Sequence, residues 1–145
     1  MVRRICLILA GMALALASGL AFAADAAPNP GLGTWVMNVA KSKFEGTPPV
    51  KSYTITNTDA GDGKAHTVAA LVYDDGTKDQ VEYTAAADGK PVPVTGYPNA
   101  DSVVVKKTGP RSMHIEFLKG GKAIEWGKLS ISKDGKTMRG TEGGT

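Results

Sequence analysis

With 145 residues, the chain has room for one domain. Its formal net charge of +3 leans on an N-terminal segment, and its single cysteine, Cys6, lies in that same segment. The remainder is therefore excluded from disulfide frameworks, thiolate metal sites and thiol nucleophiles, and its charge gives no reason to expect nucleic-acid binding.

The N-terminal segment has the form of an export signal. Arg3 and Arg4 precede an apolar run over 5–20, and Ala21-Phe22-Ala23 then supplies a small-x-small cleavage site. The run is shorter than the roughly 20 apolar residues a membrane span needs. Residues 1–23 are predicted to be a signal peptide cut after Ala23, which sends the protein to the periplasm or outside with no stable membrane insertion. Cleavage removes Arg3 and Arg4, so Lys plus Arg falls from 17 to 15 against 14 Asp plus Glu. The stretch 24–32 holds Pro28, Pro30 and Gly31 and is predicted to be a flexible tether.

A single domain is predicted over 33–145. It opens with Gly33-Thr34-Trp35-Val36, a first strand, and continues through Asn38-Val39-Ala40-Lys41 into one turn of helix. Trp35 is a large anchor whose N–H requires a partner, and Gly33 beside it lets another backbone approach. Pro48-Pro49 stops any helix. From there turn signals recur: Gly61-Asp62-Gly63, Asp74-Asp75-Gly76, Asp88-Gly89, Gly96-Tyr97-Pro98-Asn99, Gly109-Pro110, Gly120-Gly121 and Asp134-Gly135. Such pairs suit tight hairpins, which need positive φ.

Between the turns the residues alternate with period two. Tyr53 and Ile55 share one phase, and Val81 and Tyr83 another. The 65–73 segment is apolar on both faces and reads as a central strand. Pro91-Val92-Pro93-Val94 reads as an edge piece, since proline cannot donate to a ladder. Met113, Ile115 and Phe117 alternate with His114 and Glu116. Ile124 and Trp126 share a phase that Leu129 and Ile131 do not, which predicts a β-bulge at Gly127-Lys128. The pattern is all-β. It predicts an antiparallel up-and-down meander barrel of eight to nine strands with one short helical turn. After Asp134-Gly135 little chain remains, so the barrel is expected to be incomplete at its C-terminal end.

The chemistry of the sequence is sparse. Gly-x-Ser-x-Gly and His-Glu-x-x-His motifs are absent, and His66 and His114 fall on separate strands. No catalytic residue, metal ligand or cofactor is predicted, and the chain is not expected to be an enzyme. The interior of a barrel remains as a candidate site, lined by Tyr53, Ile55, Val68, Val81, Tyr83, Met113, Ile115, Phe117 and Trp126. No Lys or Arg falls in phase there over 53–83, so an enclosed guest would be small, apolar and neutral. The alternative is a ligand-free envelope protein that acts through its surface as an inhibitor or assembly factor. A monomer is expected in either case.

Gly33-Thr34-Trp35 followed by Lys41-Ser42-Lys43-Phe44 resembles the start of small exported bacterial proteins related to lipocalins and fatty-acid-binding proteins, the calycins. Asp88-Gly89-Lys90-Pro91 and Ser132-Lys133-Asp134-Gly135-Lys136-Thr137 are similar to hairpins of that group. The resemblance implies a closed β-barrel that binds a small apolar molecule. It also implies that Trp35 packs at the closed end against an arginine near the chain's end, here Arg139, with Gly33 beside it. The Thr-Asp-Tyr motif and C-terminal helix of lipocalins proper are absent.

Overall fold

A computed structural model describes residues 28–45 and 48–145. The predicted signal peptide and residues 24–27 of the predicted tether lie outside the described residues. The described residues form nine antiparallel strands and one 3-10 turn at Val39–Lys41. The strands are β1 (Gly33–Val36), β2 (Val50–Gly61), β3 (Lys64–Tyr73), β4 (Lys78–Ala85), β5 (Asp88–Pro93), β6 (Ser102–Gly109), β7 (Ser112–Lys119), β8 (Lys122–Ile131) and β9 (Met138–Gly144).

The expected closed barrel does not form. The strands make two open sheets, one of order β1-β2-β3-β4 and one of order β5-β6-β7-β8-β9. Proline chemistry accounts for the break between β4 and β5. The two meet at one isolated bridge, where Glu82 N–H donates to Thr95 O at 3.0 Å and Thr95 N–H to Glu82 O at 2.9 Å. Val94 N–H points the other way, toward Asp101 O of the β6 side. Alternation therefore aims the nitrogens of Pro93 and Pro91 at β4, as it does that of Thr95. Both are prolines, so the edge has no donor with which to extend the ladder. Asp88-Gly89 is a kink at the start of β5 with a register shift before Pro91, not the hairpin turn its sequence suggested.

The second break lies at the other side. β9 pairs with β8 from Ile131↔Met138 to Glu125↔Gly144 and not with β1, which pairs only with β2. β3 is central in its sheet, as its two apolar faces suggested.

Small residues hold the two sheets together. Val103 is fully buried at 0% exposure, and Ala69, Val81, Ala85, Val94, Ala100 and Val105 form the core around it. Phe117 packs edge-on against two rings, Tyr97 at 5.1 Å and Tyr83 at 6.5 Å between centroids. Such pairs contribute roughly 0.5–1.5 kcal/mol beyond area burial. Ala87, between the sheets, holds φ at 54°. Left-handed backbone costs a residue with a Cβ roughly 1–2 kcal/mol. Ala87→Gly should therefore raise stability, by about 0.5–1 kcal/mol after the glycine's own entropy cost. A denaturation midpoint at or below wild type would show that the strain is already relaxed.

Candidate functional site

The register decides which side chains face the space between the sheets. On the first sheet the inward rows are Trp35↔Ile55↔Ala69↔Val81 and Asn57↔Thr67↔Tyr83, with Tyr53↔Leu71 beside them. On the second they are Val103↔Phe117↔Glu125, Ile115↔Gly127↔Glu142 and Met113↔Leu129↔Gly140. Most of these residues, though not Trp35, Leu71, Val81, Val103 or Gly140, border an open cleft with a cavity of about 90 Å³.

Of the residues predicted to line an interior, Tyr53, Ile55, Tyr83, Met113, Ile115 and Phe117 border this cleft, and Val81 packs in the core beside it. Val68 does not face it. Val68 pairs with Thr56 and Glu82, on the outer face of its sheet. Trp126 borders the cleft but belongs to the row of Glu116 and Gly143 on the outer side of β8. There Lys128 Nζ stands 5.4 Å from its ring centroid. The cause is the position of the bulge. Phe117 pairs with Glu125 and Leu118 with Ala123, so the extra residue is Ile124, not one at Gly127-Lys128. A bulge three residues earlier turns Trp126 outward and brings Glu125 inward.

Trp35 is half-buried, and its Nε1–H donates to Gly31 O at 2.9 Å. Asn57 Nδ2 donates to the same oxygen at 2.8 Å, and Thr67 Oγ1 donates to Asn57 Oδ1 at 2.8 Å. Gly33 pairs with Asn57. Arg139 pairs with Ser130 on the other sheet, so the structure does not bring Trp35 and Arg139 together. His66 sits 3.2 Å from Glu82, and His114 Nε2 sits 2.9 Å from Glu116, each with a carboxylate of its own face. Among the described residues no group of three His, Cys, Asp or Glu is placed to hold a metal ion.

The chemistry that the sequence did not reveal is acidic. Glu125 and Glu142 both line the cleft, and no lysine, arginine or histidine does so among the described residues. The Tyr97 hydroxyl, carried on the 94–101 loop, donates to Glu125 Oε2. Glu142 stands at the mouth on β9 and stays exposed. Loss of surrounding water raises its pKa above the ordinary carboxylate value, and the Glu125 charge adds to that. Tyr53 lies deeper, and burial raises its pKa, with Glu142 the next largest cause. Burial also raises Tyr83 and Tyr97, and the hydrogen bond to Glu125 raises Tyr97 further. The Tyr53 hydroxyl makes no side-chain hydrogen bond among the described residues while it borders the cavity.

The raised pKa of Glu142 has a defined consequence for stability. Its stabilising share is complete below the unfolded value of 4.5 and is lost as pH rises through the folded value. Glu142→Gln should therefore gain stability relative to wild type at pH 8 but not at pH 4. The gain should stay under about 1 kcal/mol, because solvent screens an exposed side chain. Parallel denaturation curves at the two pH values would expose a wrong sign.

Comparison with protein-family models, with curated proteins and with solved structures found no match. The resemblance to calycins is thus corrected on two grounds. No comparison supports it, and neither sheet closes as a calycin barrel must. The expected enclosed apolar ligand falls with the barrel, since the described residues form no closed barrel cavity to hold it. The open cleft of about 90 Å³ is also well below the roughly 300 Å³ at which small-molecule sites begin.

Proposed function

We propose that the protein is an exported, non-catalytic binding protein whose cleft grips the head of an organic cation and leaves the rest of its partner outside. The observation that carries this reading is a carboxylate pair, Glu125 and Glu142, in a largely apolar cleft without a basic side chain among the described residues. Two like charges on one face of such a cleft repel each other, and an ammonium group between them relieves the repulsion. The rings of Tyr53, Tyr83 and Phe117 line the same space and suit a cation with short apolar flanks. The free Tyr53 hydroxyl offers an acceptor for one further N–H. Export rests on Arg3, Arg4, the apolar run and Ala21-Phe22-Ala23.

Calorimetric titration with n-butylammonium, n-butanol and butyrate at pH 7 tests the reading. Only the ammonium should saturate, and Glu125→Gln and Glu142→Gln should each weaken it by about tenfold. Equal binding of butanol, or tighter binding of butyrate, would sink it. A carboxylate pair can also cleave glycosidic bonds, so the same preparation should show no turnover of aryl glycosides; turnover would replace binding with catalysis.

A further inference from the structure

The open side of the cleft is bordered by a strand edge. β9 is hydrogen-bonded to β8 on one side over Met138–Gly144, and its other side has no neighbour among the described residues. Native sheets protect such edges by shortening them, by placing proline or charged side chains on them, by turning a charge inward, or by covering them. β1 follows that rule with four residues. β9 runs for seven without proline, Gly140, Gly143 and Gly144 keep its surface low, and its protection is two charges, Arg139 and the inward Glu142, the second of which a cation would neutralise. Glu142 projects from this same strand into the cleft mouth, on the face it shares with Glu125, which lies diagonally across the β8–β9 ladder.

Building on the cation reading above, we infer that the partner is an extended, lysine-bearing polypeptide segment that adds to the β9 edge as a tenth strand and lays a lysine ammonium between Glu142 and Glu125. Strand addition draws its affinity from main-chain hydrogen bonds and its specificity from alternate side chains. A residue opposite Glu142 on an added strand shares its face, at the separation where opposite charges attract. The next residue along points to the other side, where Arg139 projects, so Arg139 does not oppose the inward lysine. The cleft of about 90 Å³ has room for the end of one side chain and not for a whole ligand, which fits a guest whose bulk remains on the strand.

The test uses the folded chain and a capped heptapeptide of alternating threonine and lysine. Controls are the same peptide with norleucine for lysine, two analogues N-methylated on alternate backbone nitrogens, and n-butylammonium alone. Affinity is read by calorimetry and edge pairing by amide exchange over 138–144. The lysine peptide should bind at least tenfold tighter than n-butylammonium and slow exchange at alternate β9 amides. Norleucine, one of the two methylated sets, and Glu142→Gln should each lose about tenfold. Equal affinity of peptide and n-butylammonium without β9 protection would overturn strand addition and leave the cation reading standing. Failure of both to bind would overturn the two together. Protection of the same amides without peptide, with a doubled mass by light scattering, would assign the edge to a second copy and overturn the inference.

Discussion

Gly96→Ala should unfold the protein more readily than any other glycine substitution in its turns. Gly96 holds φ at 75°, and a Cβ there would lie 1.8 Å from the backbone oxygen of Gln80. Backbone strain alone costs roughly 1–3 kcal/mol. The clash adds to it, because a strand carbonyl cannot swing aside as a flexible side chain can. Relief requires β4 and the 94–101 loop to part, and the Glu82/Thr95 bridge lies beside the contact. We expect a loss of roughly 3–5 kcal/mol, at the exceptional end for one substitution. Gly76→Ala is the control. Gly76 has φ of 86° but open space around its Cβ, so it isolates the strain from the clash. Equal losses from the two variants would show that the close approach to Gln80 does not exist.

Phe117→Ala should have the next largest effect, about 3 kcal/mol, at the lower end of the range for removed core rings because Phe117 is half-buried. It would remove two edge-on aromatic contacts and leave Val103 facing a void across the β6–β7 ladder. The effect should also reach the cleft. Phe117 supports the Tyr97 ring, and Tyr97 holds Glu125. Phe117→Leu restores volume but no ring, so it should recover most of the stability while leaving ammonium affinity reduced. Full recovery of both by leucine would mean that the ring does not position Tyr97.

The sequence was a good guide where the signal is local. Turn residues at Gly63, Gly76, Gly120 and Gly135 marked hairpins, period-two alternation marked strands, and the turn after β1 was legible in Asn38-Val39-Ala40-Lys41. It failed where a single residue changes the phase. Glu125 and Trp126 are adjacent, and which of them faces inward depends wholly on where the bulge falls. Hydrophobicity favours tryptophan in the inward row, and the register with β7 gives that row to Glu125 and leaves Trp126 at the border of the cleft. The acidic cleft was hidden for that reason. Glu142 was hidden for another, since a strand of Met-Arg-Gly-Thr-Glu-Gly-Gly carries too few apolar residues to show a face. The break in closure carries a local signal of its own. Pro91 and Pro93 marked an edge, and an edge in mid-chain is where a barrel opens.

That edge also governs how the chain acquires its shape. Every strand in each sheet pairs with its sequence neighbour, from β1 to β4 and again from β5 to β9. Each half can zip up from consecutive hairpins with little loop entropy to overcome, and the pair of hydrogen bonds at Glu82 and Thr95 is too few to force the halves to wait for each other. The core that both sheets share still ties the halves into one molecule, so the seam should open locally, hinged at 86–87, ahead of global unfolding. Under gentle denaturant, amides of Glu82 and Thr95 should exchange before those at the centres of β3 and β7, with the seam parting while both sheets stay intact.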